Sequence, residues 1–185
     1  MAAPETLYKI APSYDSTIAV EVCKTGLLRK RRHVLVFERF EGQLHYSPDN
    51  PTGAHVQITI DPGSIICRDK WLRLRRQKHV AEFARSRVLA ADRHQEIRFV
   101  SNSIAAKPLR GFVVEGTLSL CGAEHPVRAN LILGPQSNGR FQIDADAPLR
   151  LSDFGIKRPT ALLGLVGTRD EAMVHLLLWA SKTSP

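Results

Sequence analysis

Polar and apolar residues alternate along most of this chain with a period of two. This is the pattern of strands that turn one face to a core and the other to water. Ile18, Val20 and Val22 alternate with Thr17, Ala19 and Glu21, and Val56, Ile58 and Ile60 alternate with His55, Gln57 and Thr59. Phe112, Val114, Leu118 and Leu120 share a face with Gly116, whose missing side chain permits a bend or bulge. Val127, Ala129, Leu131 and Leu133 form another row, as do Phe141, Ile143 and Ala145. From Ala172 to Trp179 both faces are apolar, as in a strand with cover on each side.

Turn formers separate these runs at Pro48–Gly53, Asp61–Gly63, Cys121-Gly122 and Gly134–Gly139. Short strands at such intervals predict an antiparallel sandwich or barrel. With no repeat and no low-complexity linker, one domain over residues 1–185 is expected. One segment departs from the pattern. Between Asp69 and Leu89, residues Trp71, Leu74, Val80, Phe83, Ala84 and Val88 fall at helical spacings, which predicts a helix packed by one face with Arg and Lys on the other.

Charge sharpens this picture. Of a formal net charge of +8, residues 29–32 (Arg-Lys-Arg-Arg) hold four positive charges. Residues 68–87 hold eight basic side chains against Asp69 and Glu82. The rest of the chain is slightly acidic, so two local segments make the protein basic and point to an anionic neighbour or a solvated surface. Cys23, Cys67 and Cys121 are too dispersed for a disulfide framework or a zinc motif, which leaves three free thiols, buried or half-buried. No run approaches the ~20 apolar residues of a membrane span. Met1 to Thr6 carries neither part of a secretory signal, so a cytoplasmic location, open to peripheral contact with a membrane, is expected.

The order of the pieces resembles the YceI-like family of lipid-binding proteins over nearly the whole chain. The resemblance starts at Tyr8-Lys9-Ile10 and Asp15–Val20, then passes through His33, Phe40–Leu44 and the Pro48–Pro51 turn. It continues in Val88–Ala91 with Glu96–Phe99 and Ser101, in Gly116–Gly122 with Pro126-Val127, and in Ser152-Asp153-Phe154-Gly155-Ile156. It implies a lipocalin-like barrel of about eight antiparallel strands with a helical segment, about residues 69–89, beside the mouth. Such a barrel is near the smallest that can either fill itself with side chains or hold one slender ligand. The resemblance implies non-enzymatic binding, transport or storage of a long apolar ligand of isoprenoid, quinone or fatty-acyl type. Cys121 stands where the family has a histidine, and the two basic runs are heavier than the family's own.

Strand parity and this analogy give an expected ligand lining of Ile18, Val20, His33, Phe37, Ile58, Phe83, Phe99, Phe112, Val114, Leu118, Val127, Leu131, Phe141 and Phe154. His33 is placed to bond a ligand head group or a turn backbone. In Asp153-Phe154-Gly155 the Asp is expected to cap a turn, the Phe to plug the interior and the Gly to allow the bend. The seven histidines show no metal-ligand spacing, no nucleophile motif occurs, and neither metal nor cofactor is expected. Arg73, Arg75, Arg76 and Lys78 form the expected anionic-surface contact, since a basic amphipathic helix edged by Trp71 suits a membrane surface. The alternative is an interaction module whose basic helix binds nucleic acid or an acidic partner, although nucleic acid usually calls for more interleaved aromatics. A homodimer stays open.

Overall fold

The computed structural model describes residues 5–108, 111–137, 139–161 and 166–183, so most of the Met1 to Thr6 segment lies outside the described residues. Its strands, all in one antiparallel sheet, are β1 (Thr6–Ile10), β2 (Thr17–Gly26), β3 (Arg32–Phe37), β4 (Phe40–Tyr46), β5 (His55–Ile60) and β6 (Ile65–Cys67). After the helix α1 (Leu74–Phe83) come β7 (Ile97–Ala106), β8 (Phe112–Leu120), β9 (Ala123–Ser137), β10 (Arg140–Arg150), β11 (Thr160–Ala161) and β12 (Val166–Lys182).

The first six strands act as three bent staves. β1 pairs with β4 while β2 pairs with β3, and β4 pairs with β5 while β3 pairs with β6. Sheet order then runs β5, β7, β8, β9, β10, β12, and β12 returns to β1 through Tyr8↔Lys182 and Ile10↔Ala180. The result is a closed barrel of eight antiparallel staves, with the sheet's edges paired by closure. One gap remains. β5 leaves β7 after Ile60↔Ile97, and among the described residues β6 has no strand on its far side. The chain from Arg68 to Glu96 fills that gap with α1 and a π-turn over Ala84–Val88. The observed helix thus occupies the middle and end of the expected 69–89 segment. Among the described residues no helix is long and apolar enough to cross a membrane.

Turns follow the expected chemistry. The Asn50 side chain accepts from Gly53 N at 3.2 Å, and Asp61 accepts from Gly63 N at 2.6 Å. Cys121 and Gly122 have φ of 53° and 79° in the two-residue β8–β9 turn, the left-handed pair that tight hairpins require. The expected Gly134–Gly139 turn is narrower than its composition suggests, because β9 runs on to Ser137; Asn138 lies outside the described residues.

Alternate residues of each stave point inward and form the core, with Ile10, Ile18, Leu178 and Ala180 fully enclosed. Gly116 faces the same interior. It pairs with Ser101 beside a bulge in β7, and the Phe99 ring lies against it. A Cβ at position 116 would stand 2.4 Å from the Val100 carbonyl oxygen and 2.5 Å from the Phe99 ring. Gly116→Ala should therefore destabilise the barrel by ~1–3 kcal/mol, as overpacking does. Urea unfolding should show a lower midpoint with an unchanged slope.

Candidate functional site

The interior is not filled. A chamber of about 570 Å³ occupies the helix-covered end of the barrel, within the size range of small-molecule pockets. A second space of about 80 Å³ lies on the other side of Phe99, which lines both together with Ala129. The large chamber is walled by Ile18, Val20 and Val22 from β2, Leu35 and Phe37 from β3, and Leu118 and Leu120 from β8. α1 and its π-turn supply Val80, Phe83, Ala84 and Val88 as a cover.

The structure divides most of the expected lining between the two spaces. Ile18, Val20, His33, Phe37, Phe83, Leu118 and Val127 face the large chamber, while Ile58, Phe112, Val114, Leu131 and Phe141 face the small one. Phe154 is buried in the core, as expected of a plug, but departs from the expected ligand lining. It is buried against the His125 ring, with centroids 5.4 Å apart, and lines neither space. Its turn, Leu151–Phe154, ends at Gly155 with φ 68°, as the bend requires. Asp170 rather than Asp153 holds that turn, accepting from Ser152 N at 3.0 Å and from its hydroxyl at 2.6 Å.

His33 bonds neither a turn backbone nor open space. Its Nδ1 lies 2.5 Å from Oδ2 of Asp69, whose side chain has no exposed surface. The other carboxylate oxygen of Asp69 accepts from Val34 N at 2.7 Å. Trp71 stacks on His33 at 5.7 Å, donates from Nε1 to the Arg32 carbonyl at 3.0 Å, and carries the Arg31 guanidinium 5.5 Å from its ring centre. The two basic runs, forty residues apart in sequence, thus meet at one tryptophan.

Ligand-capable atoms of His33, Cys67 and Asp69 lie within 4.8 Å of one another. The chemistry of this set favours hydrogen bonding over metal binding. Burial, with the Asp69 carboxylate beside it, pushes the Cys67 thiol up to about 11, so it keeps its proton, and metals take the thiolate. Both oxygens of Asp69 are already engaged.

α1 itself is lightly held, with no fully buried residue. Gln77 Nε2 donates to the Asp69 and Leu72 carbonyls at its start. Beyond its end the Cys121 thiol donates to the carbonyls of Val88 and Leu89 at 3.7 and 3.6 Å. Arg73, Arg75, Arg76 and Lys78 are exposed. Leu74, expected on the packed face, is 67% exposed instead, and Leu27 and Leu28 of the β2–β3 turn and Phe83 at the end of α1 are further exposed apolar groups near the basic runs. An open groove between β6 and α1, lined by Ile65, Ile66, Arg75, Arg76, Lys78 and His79, shares Ile65, Arg76 and His79 with the chamber.

The family model for the YceI-like domain matches residues 8–178. No curated protein matches the chain. Among solved structures, BcnA of Burkholderia cenocepacia is similar at 20% identity and a TM-score of 0.69, over 89% of this chain and 96% of that one. A polyisoprenoid-binding domain from Saccharophagus degradans is similar at 13% identity and a TM-score of 0.66, over 95% and 98%. A Campylobacter jejuni YceI protein, as a cysteine mutant, matches at 13% identity and a TM-score of 0.63, over 82% and 85%.

The three thiols differ in access. Cys67 is buried and Cys121 half-buried, but Cys23, expected to be covered, is exposed. Burial raises the pKa of Cys121 as well as that of Cys67. Native iodoacetamide labelling near neutral pH should therefore modify Cys23 first, with Cys67 reacting only after unfolding. Mass mapping of the alkylated peptides reads the order. Raised thiol pKa values also favour the fold only below the ordinary thiol range, so stability should fall as pH rises towards 11.

Proposed function

The chain belongs to the YceI-like family, and on that footing we propose that it binds a long apolar ligand, of isoprenoid, quinone or fatty-acyl type, inside its barrel. The observation that carries this reading is the apolar chamber of about 570 Å³ beneath α1. Burying hydrocarbon there contributes ~0.8 kcal/mol per CH₂, which offsets the ordering of a flexible chain once the chain is long. The similar fold of a polyisoprenoid-binding domain supports the same ligand class. The role in this reading is binding, transport or storage: the chamber lining is almost wholly apolar, and His33, which reaches it, is held through Nδ1 by the buried Asp69 behind the wall. An interaction module would be best served by a filled barrel. Its one aromatic for nucleic acid, Trp71, is occupied by His33 and Arg31.

Leu118 faces the large chamber, whereas Val114 is packed against the small one, so Leu118→Trp is the informative occlusion. Gently purified wild-type protein extracted with organic solvent should release stoichiometric lipid, and the folded Leu118→Trp protein should release little. Mass spectrometry of the extracts decides. Wild-type protein of bare polypeptide mass that also takes up no added lipid would overturn the reading.

The ligand is exchanged, in this proposal, at an anionic membrane surface. Exposed Leu27 and Leu74 stand among Arg29, Lys30, Arg73, Arg75, Arg76 and Lys78, apolar anchors within a basic field. Each basic residue near such a surface contributes about 1 kcal/mol, screened over a Debye length of ~8 Å. Replacing Arg73, Arg75, Arg76 and Lys78 by Gln should weaken co-sedimentation with phosphatidylserine vesicles at least about tenfold. Rising salt should narrow the difference. Equal sedimentation of both proteins would remove the membrane from the proposal, and retardation of RNA by the wild type alone would favour the interaction module.

A further inference from the structure

The lining of the large chamber changes character at one end. In register, β2 and β3 set Ile18 opposite Phe37, Val20 opposite Leu35 and Val22 opposite His33. The next inward position on β2 is Lys24, which pairs with Thr168 of β12. Three neighbouring staves thus end their apolar rows in an ammonium, a hydroxyl and an imidazole. From the cover, Arg76 and His79 line the same space. No carboxylate is among the described residues that line it.

Two of these groups lack what their burial demands. Thr168 Oγ1 is buried and has no hydrogen-bond partner among the described residues, and an unsatisfied buried hydroxyl is costly. Lys24 is also partly desolvated. Burial lowers its pKa, and the field of Asp69 offsets only part of that. A partly desolvated ammonium, on a residue in register with an unpaired hydroxyl that lines the same chamber, favours an acceptor that carries negative charge.

We propose that Lys24, Thr168, His33, Arg76 and His79 form the binding site for an anionic head group, a carboxylate or a phosphate, on a single-chain lipid whose tail fills the apolar part of the chamber. This assignment rests on the lipid-binding reading above and narrows it to acids. The tail supplies affinity through burial, and the head fixes direction, entering tail first with its charge left at the helix-covered end.

The experiment compares acids with neutral lipids of the same chain. Wild type, Lys24→Met and Lys24→Arg are titrated calorimetrically with palmitate, palmitamide, geranylgeranyl phosphate and geranylgeraniol. Wild type should prefer at least one acid to its neutral counterpart by about tenfold or more. Lys24→Met should lose that preference, and Lys24→Arg should retain it. Which acid is preferred separates carboxylate from phosphate. Equal binding of acid and neutral lipid by wild type, a result independent of any variant's folding, would overturn the head-group site and leave lipid binding intact. A preference that survives in Lys24→Met would also overturn it. Failure of all four lipids to bind would remove both readings.

Discussion

Closure of the barrel depends on the reach of β12. Its C-terminal end pairs with β1 and its middle with β2, so one seventeen-residue strand holds two successive strands end to end. Without that span the β1 and β2 staves would present free backbone donors and acceptors, which a buried wall cannot leave unpaired. The other two bent staves inherit the same break, because β3 with β4 and β5 with β6 must follow the bend between β1 and β2. The gap beyond β6 is where the last of these bends carries the strand away from β7. α1 covers a place that the sheet itself cannot close.

Asp69 ties this cover to the wall. Its carboxylate holds His33 and the Val34 amide on β3, and its carbonyl receives Gln77 from α1. A buried acid of this kind is costly alone and tolerable only with such partners. It brings the loop through Trp71 onto the β2–β3 hairpin, and so gathers both basic runs on one face of the molecule. The surface charge pattern is thus a consequence of one interior hydrogen-bond cluster.

Much of the wall was legible because side-chain parity is a local property. Ile18, Val20, Leu118 and Val127 face inward as their alternation requires. The height of each residue along the barrel axis was not legible, since it depends on strand stagger. Val114 and Leu118 share a face of β8 yet meet different spaces. Lys24 continues the Ile18, Val20, Val22 row by simple parity, but a lysine at a strand end reads as solvent until its neighbours are known. The helix was found by its period and misjudged in its packing, because it covers a hollow and so leaves Leu74 in water. Nothing local could pair His33 with Asp69 across thirty-five intervening residues, nor move the turn-holding carboxylate from Asp153 to Asp170.

Phe99 stands between the two interior spaces, with its ring resting where Gly116 has no side chain. That arrangement makes one aromatic ring the gauge of the barrel's depth. A chain short enough for the upper space meets the ring as a floor. The absent side chain at Gly116 is what lets the ring lie there. The length of interior open to a single guest is thus set by one side chain rather than by the height of the wall.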